Sequence, residues 1–389
     1  MKIGYVVPYY YPDMGGGIEH YAKHIAEELA ALGHDVHVFT QATTAAPAGE
    51  ETVGGVAVHR IKSIGFFYRL KYWPSLSRQL KRAGCDMLVT FDYAQPQSWQ
   101  TLRYASVTST PVAILIYDIQ SKKTPRHPFK QFFLALFDRA AAQYVLHGAD
   151  LLLTRTEATH QWLHEHGISQ DKIRLAPPGI TDDEMQPGHP DSFRKKYSLT
   201  GDIILFLGRI RRQKGIFLLL DAFETVQKQH PQAQLVYVGP DDKEYDGLEF
   251  TPQLNEQIKK KQLSNVHILG SLYDQDKTDA LAAASVLVLP SSSEAFGQVF
   301  IQAMAQGTPV IGTRASGVPY VVSHEQDGFL ITPWDGEQLI SYMNQLLSDN
   351  ELRTAMGERG KKKAGRYRYR LLAEQLIKQF KQLQNKDRR

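Results

Sequence analysis

The chain has 389 residues, 42% hydrophobic and 22% charged, which suits a soluble protein of two domains, each able to bury its own core. A formal net charge of +4 is too small to argue for nucleic acid, and no RNA or DNA motif accompanies the basic residues, so no nucleic-acid partner is expected. No run approaches the roughly 18 apolar residues of a membrane span, and Cys85 is the single cysteine, which excludes an internal disulfide and points to a reducing, cytoplasmic compartment.

The N-terminal MKIGYVVPYYYP reads as a short strand stopped by proline, not as a signal peptide with a long apolar core. Beyond it, strand-length apolar runs alternate with helix-length amphipathic runs, the pattern of parallel sheets covered by helices. Strands are expected at Lys2 to Val7, Asp35 to Thr40, Val56 to Ile61, Met87 to Thr90, Val112 to Ile116, Leu151 to Thr154 and Ile173 to Ala176. A helix from Ile18 to Leu32 ends at Gly33, with Ile25, Leu29 and Leu32 on one face.

Met14-Gly15-Gly16-Gly17 lies between the first strand and that helix. A dinucleotide fingerprint needs Gly-x-Gly-x-x-Gly, but His20 occupies the third place, and strand two ends in Phe39-Thr40-Gln41 with no acid for a ribose. Two readings remain, a tight turn needing positive φ and a close backbone approach to a ligand; the second accounts more economically for all three glycines.

Pro177-Pro178-Gly179 and the acid-rich Thr181 to Pro190 mark the domain boundary, giving domains 1–180 and 181–365. The alternation then restarts, with strands at Ile203 to Leu207, Leu235 to Gly239, Val266 to Leu269, Val286 to Pro290 and Val310 to Gly312, and a helix at Ile216 to Lys228. Each half has the logic of an open doubly wound sheet, in which ligands bind beyond the carboxyl ends of the strands. Two such domains facing each other would place their ligand crevices on one cleft.

Gly208-Arg209-Ile210-Arg211-Arg212-Gln213-Lys214-Gly215 follows the first strand of the second half. A lone basic loop is usually a solvated turn. At the carboxyl end of a buried strand, however, Arg209 and Lys214 are placed to neutralise a leaving diphosphate, guanidinium as a fork and ammonium as a point charge. Further on, PSSSEAFGQVFIQAMAQGTPVIGT runs from Pro290 to Thr313. It aims the carboxylate of Glu294 and the backbone N–H groups around Phe296, Gly297, Gln298 and Val299 at one point. A helix N-terminus suits phosphate and a carboxylate suits sugar hydroxyls, so the pair points to a sugar phosphate.

These segments together resemble the family-four glycosyltransferases, retaining enzymes of the two-domain GT-B fold. The resemblance spans nearly the whole chain and rests on the glycine-rich first loop, GHDVHVFT, APPGI, FLGRIRRQKG, LVYVGP, VHILGSL and the Glu294 segment ending GTPVIGT. It implies that Glu294, the first acid of a Glu-seven-residues-Glu signature, accepts hydrogen bonds from the donor sugar, assisted by Phe296 and Gly297. Arg209 and Lys214, beside Gly208, would hold the nucleotide diphosphate, Gly16 and Gly17 would let the first loop close over it, and Ser271 and Leu272 would meet the nucleobase. The basic tail from Arg359 to Arg389 resembles the terminal helix of the family, which returns to the first domain from about 366 onward.

Two departures stand out. The second acid of the signature is Gln302, whose amide offers one acceptor oxygen and a donor NH2 where a carboxylate would take both ribose hydroxyls. Many relatives carry a histidine where Tyr117 or Asp118 stands, which makes Asp118 the candidate polar group there, a capping carboxylate being the other reading.

The expected activity is transfer of a sugar from a nucleotide-diphosphate sugar to an acceptor hydroxyl with retention, by front-face substitution, since no second carboxylate is spaced with Glu294 as in a glycosidase pair. Neither cofactor nor metal is expected. Asp182-Asp183 and Asp241-Asp242 lack calcium-loop spacing, and His160, His164 and His166 lack partners that would complete a zinc set. Seven Lys or Arg between Arg60 and Arg82, interleaved with Phe66, Phe67, Tyr68, Tyr72 and Trp73, leave two readings: a core helix with a basic face, or an anionic membrane surface with a lipid-linked acceptor. Lys122, Lys123, Arg126, Phe129, Lys130, Phe132 and Phe133 form a second such stretch. A glycan or a small molecule is the alternative acceptor. The competing functional class is a catalytically weak nucleotide-sugar-binding partner or regulator of the same fold.

Overall fold

The computed structural model describes residues 1–13, 17–67, 70–116, 143–241 and 249–386. The chain divides into two compact units, Met1–Gly179 with Tyr369–Arg389, and Ile180–Arg368.

The first unit runs β1 (Lys2–Val6), α1 (Gly17–Ala31), β2 (Asp35–Gln41), β3 (Gly49–Val53), β4 (Val56–Ile61), β5 (Ile64–Phe67), β6 (Leu70–Tyr72), α2 (Leu76–Ala83), β7 (Met87–Phe91), α3 (Pro96–Thr108), β8 (Val112–Ile116), β9 (Leu151–Thr154), α4 (Glu157–Glu165) and β10 (Ile173–Leu175). Its main sheet has the order β10-β9-β8-β7-β1-β2-β4-β3, parallel throughout except for β3. The central strands β7 and β8 are buried at every position, as expected of strands covered on both faces.

Several of its elements were not expected from the sequence. GEETV of β3 is nearly all exposed and has no apolar alternation; only its antiparallel pairing with β4 at the sheet edge defines it. The β5–β6 hairpin is a separate two-stranded ribbon. Helix α2 is short, with only Leu76 and Leu80 buried. Helix α3 turns a largely polar face inward, burying Gln97, Ser98 and Thr101. The Ser98 hydroxyl donates to the carbonyls of Phe91 (3.2 Å) and Asp92 (2.6 Å), and Thr101 donates to Gln97 (2.7 Å), so burial of these groups carries little penalty.

The same unit corrects part of the basic, aromatic reading of residues 60–82. Arg60 is buried, paired with Glu51 and donating to the Tyr11 carbonyl, and Trp73 is fully buried. Neither faces a surface. Residues Lys122 to Phe133 lie outside the described residues.

The second unit runs α5 (Pro190–Tyr197), β11 (Ile203–Leu207), α6 (Ile216–Gln229), β12 (Gln234–Val238), α7 (Phe250–Lys260), β13 (Val266–Ile268), α8 (Asp274–Ala283), β14 (Val286–Val288), α9 (Gln298–Ala305), β15 (Val310–Thr313), β16 (Gly328–Ile331), α10 (Gly336–Ser348) and α11 (Asn350–Ala364). Its sheet is parallel throughout, in the order β13-β12-β11-β14-β15-β16. IILFL of β11 is buried at every residue, and α6 packs Ile216, Leu219, Leu220, Phe223 and Val226 inward at helical spacing. β14 stops two residues short of Pro290, where the chain leaves the sheet for the Ser291–Glu294 loop. β16, four residues long, was not expected.

The last helix, α12 (Tyr369–Lys386), belongs to the first unit. Its face of Tyr369, Leu372, Leu376, Ile377 and Phe380 is buried, and Tyr369 meets the Tyr21 ring of α1 edge-on at 6.2 Å. Leu371 points away from that face and is 39% exposed.

Candidate active site

In the second unit the strand order reverses at β11: β12 and β13 lie on one side, β14, β15 and β16 on the other. In a doubly wound sheet the crevice for ligand opens at this reversal, beyond the carboxyl ends of the two central strands. The loop after β11 carries Arg209 and Lys214, and the loop after β14 carries Glu294. Sheet topology therefore brings together two loops that lie 80 residues apart.

Backbone and side chains lock the two loops to each other. The carbonyl of Gln213 accepts from the Ser292 N–H (2.9 Å) and from the Ser291 hydroxyl (3.1 Å). Gly215, with φ 75°, passes so close to Pro290 that a Cβ there would lie 2.3 Å from its carbonyl oxygen. Against this frame the Lys214 ammonium forms an ion pair with the Glu294 carboxylate. Both side chains are largely shielded, at 21% and 16% exposure. The sequence gives these residues separate tasks, one toward phosphate and one toward sugar; the fold makes them a pair.

The loop then turns through Phe296 and Gly297 into α9. Phe296 is buried and meets the Tyr367 ring edge-on at 5.9 Å. Burial raises the Tyr367 phenol above its usual value, so it stays a neutral hydroxyl. Gly297 adopts φ 78° at the helix cap, and no side-chain cap hydrogen bond is made at that end. Gln298 and Val299 are the first two helical residues, so their N–H groups stand at the start of the helix. A partial positive charge therefore sits beside Lys214 and Glu294.

Arg209 is exposed at the mouth of the β11 loop, where Gly208 N–H bonds Val238 (2.9 Å) and Ile210 N–H bonds Pro240 (2.9 Å). Ser271 and Leu272 follow β13, two strands from β11, and lead to the exposed Tyr273 at the start of α8. Gly17 opens α1 in the first unit. Gly16, Tyr117 and Asp118 lie outside the described residues.

Gln302, one turn into α9, meets partners that the sequence did not disclose. Its Nε2 donates to Glu184 Oε1 (2.7 Å), and Lys277 Nζ reaches the same oxygen (2.9 Å). The only advance sign was the Thr181-x-x-Glu184 spacing of a capping box: the Thr181 N–H donates to Glu184 Oε2 (3.1 Å) and the Glu184 N–H to Thr181 Oγ1 (3.2 Å).

Several residues of the acidic and histidine clusters set aside above have other partners. Asp241 caps α7 through the N–H groups of Phe250 and Thr251, and Asp182 pairs with Arg368. Asp242 lies outside the described residues. His166 stacks on Trp162 at 3.8 Å. Among the described residues no group of three His, Cys, Asp or Glu side chains is arranged to hold a metal ion, and no helix is long and apolar enough to cross a membrane.

Residues 190–363 match the family model described as glycosyl transferases group 1, and residues 16–179 match a glycosyl transferase 4-like domain. The chain is 29% identical to the D-inositol 3-phosphate glycosyltransferase of Corynebacterium urealyticum, over 95% of this chain and 91% of that one. It is 25% identical to the mannosylfructose-phosphate synthase of Agrobacterium fabrum (96% and 88% covered) and 24% identical to the phosphatidyl-myo-inositol mannosyltransferase of Mycobacterium leprae (98% and 96%). Among solved structures, sucrose-phosphate synthase from Thermosynechococcus elongatus superposes with a TM-score of 0.78 at 22% identity, covering 98% of each chain. The Anabaena protein HepE, solved in complex with UDP, gives 0.79 at 20% identity, covering 98% of this chain and 100% of that one. Two parallel-sheet α/β units with these neighbours define a GT-B protein. The chain belongs to family four of the GT-B glycosyltransferases, enzymes that transfer a sugar from a nucleotide sugar.

Proposed function

We propose that the second unit binds a nucleotide-diphosphate sugar with its pyrophosphate against Lys214, Arg209 and the N–H groups of Gln298 and Val299, and its hexose against Glu294. The Lys214–Glu294 ion pair, at a helix N-terminus and at the strand-order reversal, carries this reading. An ammonium has three N–H donors, so Lys214 keeps two for phosphate oxygens while bonded to Glu294. The carboxylate in turn keeps lone pairs for sugar hydroxyls.

Transfer proceeds with retention. The C–O bond between the sugar and the diphosphate breaks first, its electron pair going to the phosphate oxygen under stabilisation by Lys214, Arg209 and the helix N-terminus. The acceptor hydroxyl attacks from the same face, and the departing phosphate oxygen takes its proton. Glu294, held by a cation, serves as a hydrogen-bond acceptor and not as a nucleophile. The fixed cations supply the charge that a divalent ion would otherwise bring, so no metal or cofactor is required.

The names of three relatives each contain a phosphorylated polyol or its lipid. We take the acceptor here to be of that class, a polyol bearing a phosphate, either free or as the headgroup of an anionic membrane.

The test is nucleotide release from UDP-, GDP- and ADP-sugars, with inositol phosphate, fructose 6-phosphate or phosphatidylinositol vesicles as acceptor. Acceptor-dependent release, undiminished by EDTA, is expected, with the donor anomer preserved in the product by NMR. An inverted product removes the front-face route; loss of activity in EDTA removes metal independence; no release with any pair removes the transfer reading.

A further inference from the structure

We infer that Arg60 and Glu51 are positioning residues for the acceptor, holding the loop between β1 and α1 by its middle. The inference rests on the reading above that the acceptor is a phosphorylated polyol, and adds to it two residues of the β3–β4 edge.

Arg60 stands where a buried strand carries apolar side chains. On β4 it follows Val56 and Val58 at alternate positions, both fully buried, and its own side chain is only 4% exposed. A guanidinium taken out of water needs its charge and its donors met. β3 supplies the counter-ion. Its Gly49 lies opposite Arg60 in the antiparallel ladder and has no side chain to fill the space. Glu51, two residues on and on the same face, accepts from Arg60 Nε and pairs with Nη2. This explains why β3 joins the sheet although none of its residues is buried: it brings a carboxylate to Arg60.

A carboxylate alone would balance the charge. Arg60 also donates through Nη2 to the main-chain carbonyl of Tyr11. Tyr11 lies in the loop that leaves β1, the strand at which the first sheet reverses order, with β7 on one side and β2 on the other. Beyond the carboxyl end of such a strand a doubly wound sheet opens its ligand crevice. The two ends of the loop are tied elsewhere: Thr40 Oγ1 donates to the Pro8 carbonyl (3.4 Å), and Thr43 Oγ1 donates to the Asp13 carboxylate. The Asp13 N–H closes a turn on the Tyr10 carbonyl (3.1 Å), so Tyr11 sits inside the bend that Arg60 holds.

Fixing that carbonyl fixes what the bend shows to solvent. The Tyr11 ring is 47% exposed, and Lys23 Nζ lies 6.0 Å from its centre. An aromatic face beside an ammonium suits a phosphorylated polyol, whose C–H groups pack on the ring while its phosphate meets the cation. Lys23 is bonded to Glu27 (2.7 Å) and keeps two N–H donors for that purpose. Arg60 and Glu51 touch no substrate themselves and act through Tyr11.

The test uses the double variant Arg60→Met with Glu51→Gln, which replaces the pair without stranding either charge. Amide hydrogen exchange on the full chain, with no substrate added, is expected to quicken from Tyr9 to Asp13 and to stay as in wild type within β1. In steady-state kinetics with inositol phosphate or fructose 6-phosphate, the acceptor KM should rise about tenfold, the worth of one hydrogen bond. Calorimetric Kd values for UDP and GDP, and kcat, should stay within about twofold of wild type. A merely structural pair would lower the denaturant midpoint and the active fraction while leaving acceptor KM where it was. Unchanged exchange in the loop, or an acceptor KM within about twofold of wild type, overturns the inference. Wild type that transfers to neither acceptor sinks the acceptor class proposed above, and the exchange result then decides by itself whether Arg60 holds the loop.

Discussion

Lys214→Ala is expected to lower turnover by about 10² to 10³-fold, the loss that follows removal of one preorganised donor aimed at developing charge. Two effects add. The leaving diphosphate loses the ammonium, and Glu294, only 16% exposed and then without its cation, repels the incoming nucleotide. The second effect separates this variant from a simple loss of contact. Adding Glu294→Gln to Lys214→Ala removes the repulsion, so nucleotide affinity should recover in part while transfer stays slow, because the hexose has lost its carboxylate as well. Steady-state kinetics with calorimetric binding of UDP and GDP checks both limbs. Turnover within about threefold of wild type in Lys214→Ala would remove the ammonium from the leaving-group site.

Gly215→Ala should damage stability and activity together. Its φ of 75° strains any residue with a Cβ, and the added carbon would meet the Pro290 carbonyl oxygen at 2.3 Å. Main chain cannot move aside as a side-chain tip can, so the β11 and β14 loops must part, and with them the Gln213–Ser292 hydrogen bond and the Lys214–Glu294 pair. A cost of about 1–3 kcal/mol is expected from the backbone conformation, with a further loss from the contact. Gly33 provides the control: it too has positive φ, 85°, but nothing lies within 4 Å of its added carbon. Gly33→Ala should show the conformational strain without loss of turnover. Denaturant midpoints and kcat for the two variants separate crowding from strain; equal behaviour would show that the tight approach at Gly215 is unimportant.

Much of the site was legible in the chain because it is built from local signals. IILFL followed by a glycine and a basic turn reads as a buried strand opening onto a cation-bearing loop, and the Glu294 run reads as strand, loop and helix start. What sequence order could not supply was which loops meet. Lys214 reaches Glu294 across 80 residues because β11 and β14 lie side by side in the sheet, and Glu184 reaches Gln302 across 118 because the segment that opens the second unit is held against α9. Gln302 looked like a weakened ribose grip when read alone; with Glu184 and Lys277 beside it, its amide has a fixed orientation. Helix α3 escaped notice for another reason: it buries Gln97, Ser98 and Thr101, whose hydrogen bonds replace the apolar stripe on which periodicity depends. Arg60 and Trp73 suggested a surface by composition, yet Arg60 finds Glu51 and Trp73 a fully buried place.

The central claim is that pyrophosphate binds where the Lys214–Glu294 pair meets the start of α9. A crystal structure with UDP or GDP bound tests it most directly. The account predicts phosphate oxygens within hydrogen-bond reach of Lys214 Nζ and of the N–H groups of Gln298 or Val299. A nucleotide seated instead in the cavity of about 440 Å³ at the amino ends of β14 and β15, among Arg194, Ser285, Arg353 and Lys361, would contradict it.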